Sequence, residues 1–281
     1  MKKVKIIGVP EHFNYPWRMS IESGDFAQAS IDLEWTNVPE GTGKMCQMLR
    51  DEETDLAIIL TEGIMKDIAS GNPSVLLQEY VSSPLQWGIF VAADSAYETV
   101  ADLRGKKVAI SRYGSGSHLM SLVNASQQGW SEDEVNFEVV HTLEGAIEAL
   151  QNGTADYFMW DRFMTQPIVD KKIFRRVGIC PTPWQSFVLV GNREFVQNNK
   201  PLVESLLEII NTTTAEFRII PSIDRTISEV FGQKIENVQA WLSVTRWSQQ
   251  QMSKKAFEQT ISDLQKYKII EQPLKYEDVI A

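Results

Sequence analysis

The stretch "TDLAIIL" at 54–60 constrains the fold more than any other part of this sequence. Its last five residues are apolar without a break. A strand with one wet face alternates polar and apolar side chains, whereas an unbroken apolar run belongs to a strand covered on both faces, as in a parallel sheet flanked by helices. Strand-like and helix-like patterns alternate on either side of it. "KVKIIGV" reads as a strand, "PWRMSIESGDFAQA" as a helix ending near Gly24, "IDLEWTNV" as a strand, and "GTGKMCQMLRDEE" as a helix with Met45, Met48 and Leu49 on its apolar face. Further on, "SVLLQEYV", "QWGIFVAA", "KKVAISR", "VNFEVVH", "ADYFMW", "FRRVGIC" and "FVLVGN" read as strands. "GSHLMSLVNASQQG", "LEGAIEALQNG" and "DRFMTQPIVD" read as helices, and from Lys200 the chain is mainly helical. The alternation predicts an α/β protein with parallel sheets.

The chain has 281 residues, enough for two lobes. Residues 3–82 and 106–180 each read as a self-contained βαβ lobe, and the stretches near 83–92 and 183–190 read as extended strands crossing between them. The prediction is two Rossmann-like lobes with a hinge of two crossover strands. Lobe 1 comprises 1–86 plus 188–281, lobe 2 comprises 87–187, and a ligand cleft lies between them. In such sheets ligands sit outside the carboxyl ends of the strands, so the loops after strand ends are the candidates.

Charge narrows the function classes. With 37 acidic and 27 basic residues the net charge is −10, which excludes a nucleic-acid partner and disfavours an anionic membrane surface. An anionic ligand would be held by a local site and not by the overall field. The two cysteines, Cys46 and Cys180, form no CxxC pair, and three histidines give no metal-ligand cluster. Both cysteines read as core residues, and no metal or cofactor is implied. The apolar stretch in "MKKVKIIGVP" is too short for a secretory signal, and no run reaches the roughly 18 apolar residues of a membrane span. As it stands the chain reads as cytoplasmic with no membrane insertion; one trimmed of a leader would read the same and be periplasmic.

The loops raise specific candidates. In "SRYGSGSHLM" a strand ends at Ser111 and a helix begins near Ser117. Tyr113, Ser115, Gly116, Ser117 and His118 there offer free amides, hydroxyls and a ring nitrogen at a helix N-terminus, a cradle for an anion. The same residues read equally as a glycine turn with Ser115 or Ser117 as the helix cap. The dinucleotide fingerprint is absent, because its third glycine would fall at Leu119. Thr42, in "EGTG", marks either a helix start facing the cleft or a simple loop. In "ILTEG", Glu62 can accept hydrogen bonds from an amine or ring nitrogen; alternatively Thr61 caps the next helix and Glu62 complements its dipole. In "MWDRF", Trp160 can stack on a flat ligand or belong to the core, and Asp161 can be a cap. "PEHFNYPW" supplies Glu11, His12 and Tyr15 from a loop rich in rings, which usually lines something. Gln86 and Trp87, in "SSPLQWG", lie at the first crossover. No nucleophile, metal signature or catalytic residue stands out.

Taken in order, the Pro-rich loop, "EGTG", "DLAIILTEG", "SGSH" and "WDRF" resemble the type II periplasmic-binding-protein superfamily. The nearest branch is the sulfonate/nitrate/taurine-binding proteins of ABC transporters, together with thiamine-pyrimidine-synthesis-like proteins. The resemblance covers about residues 3–220. It implies two lobes closing on a small molecule, with Ser115, Gly116, Ser117 and His118 meeting an anionic group. Further contacts are implied from the loops of Thr61 and Glu62, Gln86 and Trp87, and Trp160 and Asp161. The implied function is a substrate-binding protein for a small anionic or heterocyclic molecule, with an ABC permease as partner if exported. The alternative is an enzyme on the same fold, such as a menaquinone-pathway lyase or a pyrimidine-precursor synthase, with His12 or Glu62 as its base. The cysteine-rich iron segment of the fungal pyrimidine synthases has no counterpart here.

Overall fold

The apolar run is a strand without solvent contact along most of its length. In the computed structural model, which describes residues 1–281, β1 (Lys2–Gly8) pairs in parallel with β2 (Ile31–Asn37) and with β3 (Leu56–Leu60). Leu56, Ala57, Ile58 and Ile59 of β3 have no exposed surface. Full burial of one such side chain is worth roughly 1.5–3 kcal/mol, so this strand anchors its part of the sheet. The remaining strands are β4 (Ser74–Ala92), β5 (Lys107–Ile110), β6 (Asn136–Val139), β7 (Tyr157–Asp161) and β8 (Phe174–Asn192).

The chain divides into two units, Met1–Ser83 with Trp184–Ala281, and Pro84–Pro183. The first has strand order β2-β1-β3-β8, in which β8 runs antiparallel to β3 with Leu56 opposite Gly191 and Leu60 opposite Phe187. The second has order β4-β7-β5-β6; β5 is parallel to both β6 and β7, while β4 is antiparallel to β7. Its core is built from Phe90, Phe158 and Phe174 with Ala109, Ala146 and Leu150. Small alanines facing large rings let the helix Leu143–Asn152 lie close to the sheet. No helix of the chain is long and apolar enough to cross a membrane.

Three local expectations are corrected. The two strands read at 74–81 and 86–93 are one continuous strand, β4, and the two read near 174–180 and 187–192 are likewise one, β8. Pro84 and Pro183 lie within these strands. Proline gives no N–H to a ladder, and side chains supply bonds beside it instead. The Leu85 amide donates to Thr182 Oγ1 (3.0 Å), and in the other unit Ser186 Oγ donates to the Ser83 carbonyl. The helix read as ending near Gly24 runs Tyr15–Glu22, and a separate short helix follows at Asp25–Gln28, with Gly24 between them in a left-handed conformation. The helix read from Asp161 is confined to Gln166–Asp170; the residues before it form a turn on the Asp161 carboxylate.

Candidate ligand-binding site

The turn after β5 closes on itself through hydroxyls. Ser115 is the N-cap of the helix Gly116–Gln127, its Oγ accepting from the His118 amide at 3.4 Å. Ser117, fully buried, accepts from the Ser111 amide at 3.0 Å and lies 3.0 Å from Ser115 Oγ. The hydroxyls of Ser115 and Ser117 therefore tie the strand end to the helix start. His118 accepts the Gly114 amide on Nδ1 at 3.1 Å; when neutral it carries its proton on Nε2. Its ring packs against Tyr113 and Phe137, and Tyr113 is 65% exposed. Ser117→Ala is expected to cost about 1–2 kcal/mol through the Ser111 amide it orphans, read from the denaturation midpoint; an unchanged midpoint would contradict the tie.

A close approach defines the rest of this turn. A Cβ on Gly116 would lie 2.7 Å from Cη2 and 3.0 Å from Cζ2 of Trp87. The Trp87 indole thus rests on the first residue of the helix, whose amides have no intrahelical acceptor. Trp87 is 4% exposed, and its Nε1 is buried with no hydrogen-bond partner. A second ring, Trp160, meets it edge-on at 6.1 Å. Strand pairing sets this geometry, since Trp87 stands opposite Asp161 and Gly88 opposite Trp160.

Asp161 caps a turn. Its Oδ1 accepts the amides of Phe163 (2.9 Å) and Met164 (2.8 Å), while Oδ2 is buried without a partner. Burial pushes its pKa up to about 6 against the pull of those amides. The next residue, Arg162, donates from Nη1 to Gln86 Oε1 at 2.7 Å. Arg162 is a cation that the sequence reading passed over, although it sits inside the quoted motif.

In the other unit, Thr61 opens the helix Thr61–Ala69 but does not cap it. Leu60 holds the cap position, and Thr61 Oγ1 donates to the Ser186 carbonyl at 3.3 Å. Glu62 lies in the first turn of that helix, fully buried. Its Oε2 accepts Trp184 Nε1 at 2.8 Å, and its Oε1 has no partner. Burial pushes its pKa up to about 7, opposed by its own backbone amide and by the Trp184 bond. Thr42 lies directly over Gly63, where any Cβ would be 2.2 Å from the threonine methyl; this brings the "EGTG" and "TEG" loops together.

Glu11 is half-buried and precedes a single 3-10 turn, His12–Asn14. His12 has no exposed surface and sits among Phe13, Phe231 and Trp241, the last at 4.0 Å between ring centroids. Both its nitrogens lack partners, and burial lowers its pKa to about 3. As it lies, His12 presents a neutral ring to other rings and no base to solvent. Tyr15, also buried, packs on Phe217 and Phe231.

A two-unit α/β chain with this strand order invites comparison with known folds. The Candida albicans CA3427 gene product, which has the generic periplasmic binding protein structural fold, superposes with a TM-score of 0.87 at 23% identity, over 98% of this chain and 92% of that one. The chain has the periplasmic-binding-protein fold. A family model described as Ca3427-like PBP matches residues 87–180, nearly the whole of the second unit. No match is found among curated proteins. The alkanesulfonate-binding protein SsuA from Xanthomonas axonopodis pv. citri, bound to MOPS, gives a TM-score of 0.82 at 17% identity over 99% of this chain and 97% of its own. PhnD1 from Prochlorococcus marinus, in complex with methylphosphonate, gives 0.64 at 11% identity over 96% and 99%. In this periplasmic-binding-protein fold, the loops of Glu11–His12, Thr42, Thr61–Glu62 and Ser111–His118 follow the ends of β1, β2, β3 and β5, the positions where open α/β sheets hold ligands, while Gln86 and Trp87 lie within β4.

Proposed function

We propose that the chain is a substrate-binding protein for a small molecule bearing an oxyanion, a sulfonate or a chemically similar group. A flat heterocycle such as a thiamine-type pyrimidine, which carries no oxyanion, is the alternative ligand class that the resemblance implies. The observation that carries the reading is the contact at Gly116. A residue without a side chain lets an indole ring lie on the first turn of a helix, and the indole N–H is left buried and unanswered. The Trp87 indole N–H and the amides of the first helical turn that Ser115 does not cap are donors, and an oxyanion is an acceptor. The ligands named for two proteins of like fold, an alkanesulfonate and methylphosphonate, have that chemistry. Capture by closure of the two units, and delivery to an ABC permease, are further parts of this proposal supported by the fold alone.

A second reading, an enzyme on the same fold, has one observation in its favour. Glu62 has a pKa near neutrality and one unpartnered oxygen, the condition of a general acid or base. Mass spectrometry of the small molecule released on denaturation separates the two. The binding reading expects an intact ligand that is returned unchanged after incubation with fresh protein. Conversion of that ligand on incubation would replace it with the enzymatic reading, and Glu62→Gln would then abolish the conversion.

A further inference from the structure

Asp161 leaves one carboxylate oxygen unanswered beside the Trp87 indole. The residue is 5% exposed; Oδ1 accepts the Phe163 and Met164 amides, and Oδ2 is buried with no hydrogen-bond partner. Trp87 stands directly opposite Asp161 in the antiparallel β4–β7 pair. At the adjoining position the Arg162 amide donates to the Gln86 carbonyl at 2.9 Å. Bonded and non-bonded pairs alternate along an antiparallel ladder, which makes Trp87 and Asp161 a non-hydrogen-bonded pair. Such residues have Cα atoms about 4.5 Å apart and project side by side from one face of the sheet.

The charged neighbour does not answer Oδ2. Arg162, the next residue, takes the other face, where Nη1 donates to Gln86 Oε1 at 2.7 Å. Its charge opposes the rise that burial brings to the Asp161 pKa, but it makes no hydrogen bond to Oδ2. The indole, for its part, turns its N–H edge to the Gly116 turn. Cζ2, two bonds from Nε1, would lie 3.0 Å from a Cβ on Gly116, and Nε1 is buried without a partner. An N–H donor and a carboxylate acceptor thus stand on paired residues, both unanswered, next to the first turn of the helix. A fully deprotonated oxyanion satisfies the donor and is repelled by the carboxylate. An oxyanion with one acidic hydroxyl satisfies both, because its bare oxygens accept while its O–H donates to Oδ2 in a charge-assisted hydrogen bond.

We propose that Asp161 is a specificity-determining residue of the Gly116 site, selecting a tetrahedral oxyanion that keeps one acidic hydroxyl, of the phosphonate or phosphate-ester type, over its sulfur counterpart. The proposal rests on the oxyanion reading of that turn and adds to it the acceptor that reads the ligand's proton. Near neutral pH a phosphate monoester or phosphonate still holds its last proton in part, whereas a sulfonate or sulfate ester holds none. At pH 7 Asp161 is mainly ionised, its pKa standing at about 6, so it acts as the acceptor.

The test is isothermal titration of the full chain at pH 7 with two matched pairs, methylphosphonate against methanesulfonate and methyl phosphate against methyl sulfate. Wild type is expected to bind the phosphorus member of at least one pair at least about tenfold more tightly than its sulfur counterpart, the effect of one hydrogen bond to a charged group. The tighter pair tells whether carbon or oxygen links the group. Asp161→Asn keeps a carbonyl oxygen for the Phe163 and Met164 amides and places an NH2 donor where Oδ2 was. It should retain the fold, read from its Tm, and lose the preference, binding the sulfur member at least as tightly as the phosphorus one. The wild-type ratio decides even if Asp161→Asn fails to fold. Equal or tighter binding of the sulfur member in both pairs by wild type overturns the proposal and leaves the oxyanion reading standing, as does a preference that survives Asp161→Asn unchanged. Binding of none of the four by wild type fails the oxyanion reading itself, and selection by Asp161 falls with it.

Discussion

His12→Phe is expected to make the protein more resistant to acid by about 3 kcal/mol at pH 4 relative to its effect at pH 7. The wild-type imidazole has a pKa of about 3 when folded, against 6.5 for an unperturbed histidine. As pH falls through 6.5 the unfolded chain takes up a proton that the folded chain refuses until pH 3. The stability this group allows is therefore present above 6.5 and lost between 6.5 and 3, at about 1.4 kcal/mol per pH unit. Phenylalanine has no such proton. It also suits a site made of Phe13, Phe231 and Trp241 and leaves no orphaned nitrogen, so at pH 7 it should be neutral or mildly stabilising. Glu62 and Asp161 act with the opposite sign. Their folded pKa values are raised to about 7 and 6, so they add stability as pH falls through those values. They are common to both proteins and cancel in the difference. Urea midpoints of both proteins at pH 7, 5 and 4 read the effect directly. Parallel pH curves would mean that His12 titrates normally and is not sealed among the rings.

Gly116→Ala is expected to abolish ligand binding, with a loss of affinity of at least about a hundredfold, and to cost about 1–3 kcal/mol of stability. The added methyl would lie 2.7 Å from the Trp87 ring, closer than any packed pair of carbons. Trp87 cannot retreat freely, being 4% exposed and braced by Trp160. Its displacement moves the indole N–H and opens the first turn of the helix at once. Two measurements separate the effects: the denaturation midpoint gives the stability cost, and titration well below the variant's Tm gives the affinity. Wild-type affinity in a folded variant would remove Gly116 from any part in ligand binding.

What the sequence reveals depends on how local the cause is. The fold is legible because burial leaves its mark residue by residue. "LAIIL" shows a strand covered on both sides, and the alternation around it leaves few topologies besides an open α/β sheet. The continuity of β4 and β8 is less legible. Pro84 and Pro183 offer no N–H to a ladder, and the bonds that carry the strands past them come from Thr182 and Ser186 on the partner strand. The Ser115 and Ser117 hydroxyls have the same limit, since a cap and an anion grip use identical residues. Only the distances to the Ser111 and His118 amides reveal their engagement within the turn. Arg162 was in plain view beside Asp161, but its orientation is set by Gln86, distant in sequence. The setting of His12 was hidden for the same reason, its neighbours Phe231 and Trp241 lying more than two hundred residues further along the chain.

The central claim is that the Gly116 turn holds an oxyanion-bearing ligand, and the most direct measurement is isothermal titration of wild type and Gly116→Ala. The titrants are short alkanesulfonates, nitrate, methylphosphonate and a thiamine-type pyrimidine, each followed by recovery of the titrant. The account predicts saturable single-site binding of at least one of the sulfonates, nitrate or methylphosphonate to wild type, its loss in the variant, and recovery of the ligand unchanged. Binding that survives Gly116→Ala intact, or binding by none of the oxyanions whatever the pyrimidine does, would contradict it.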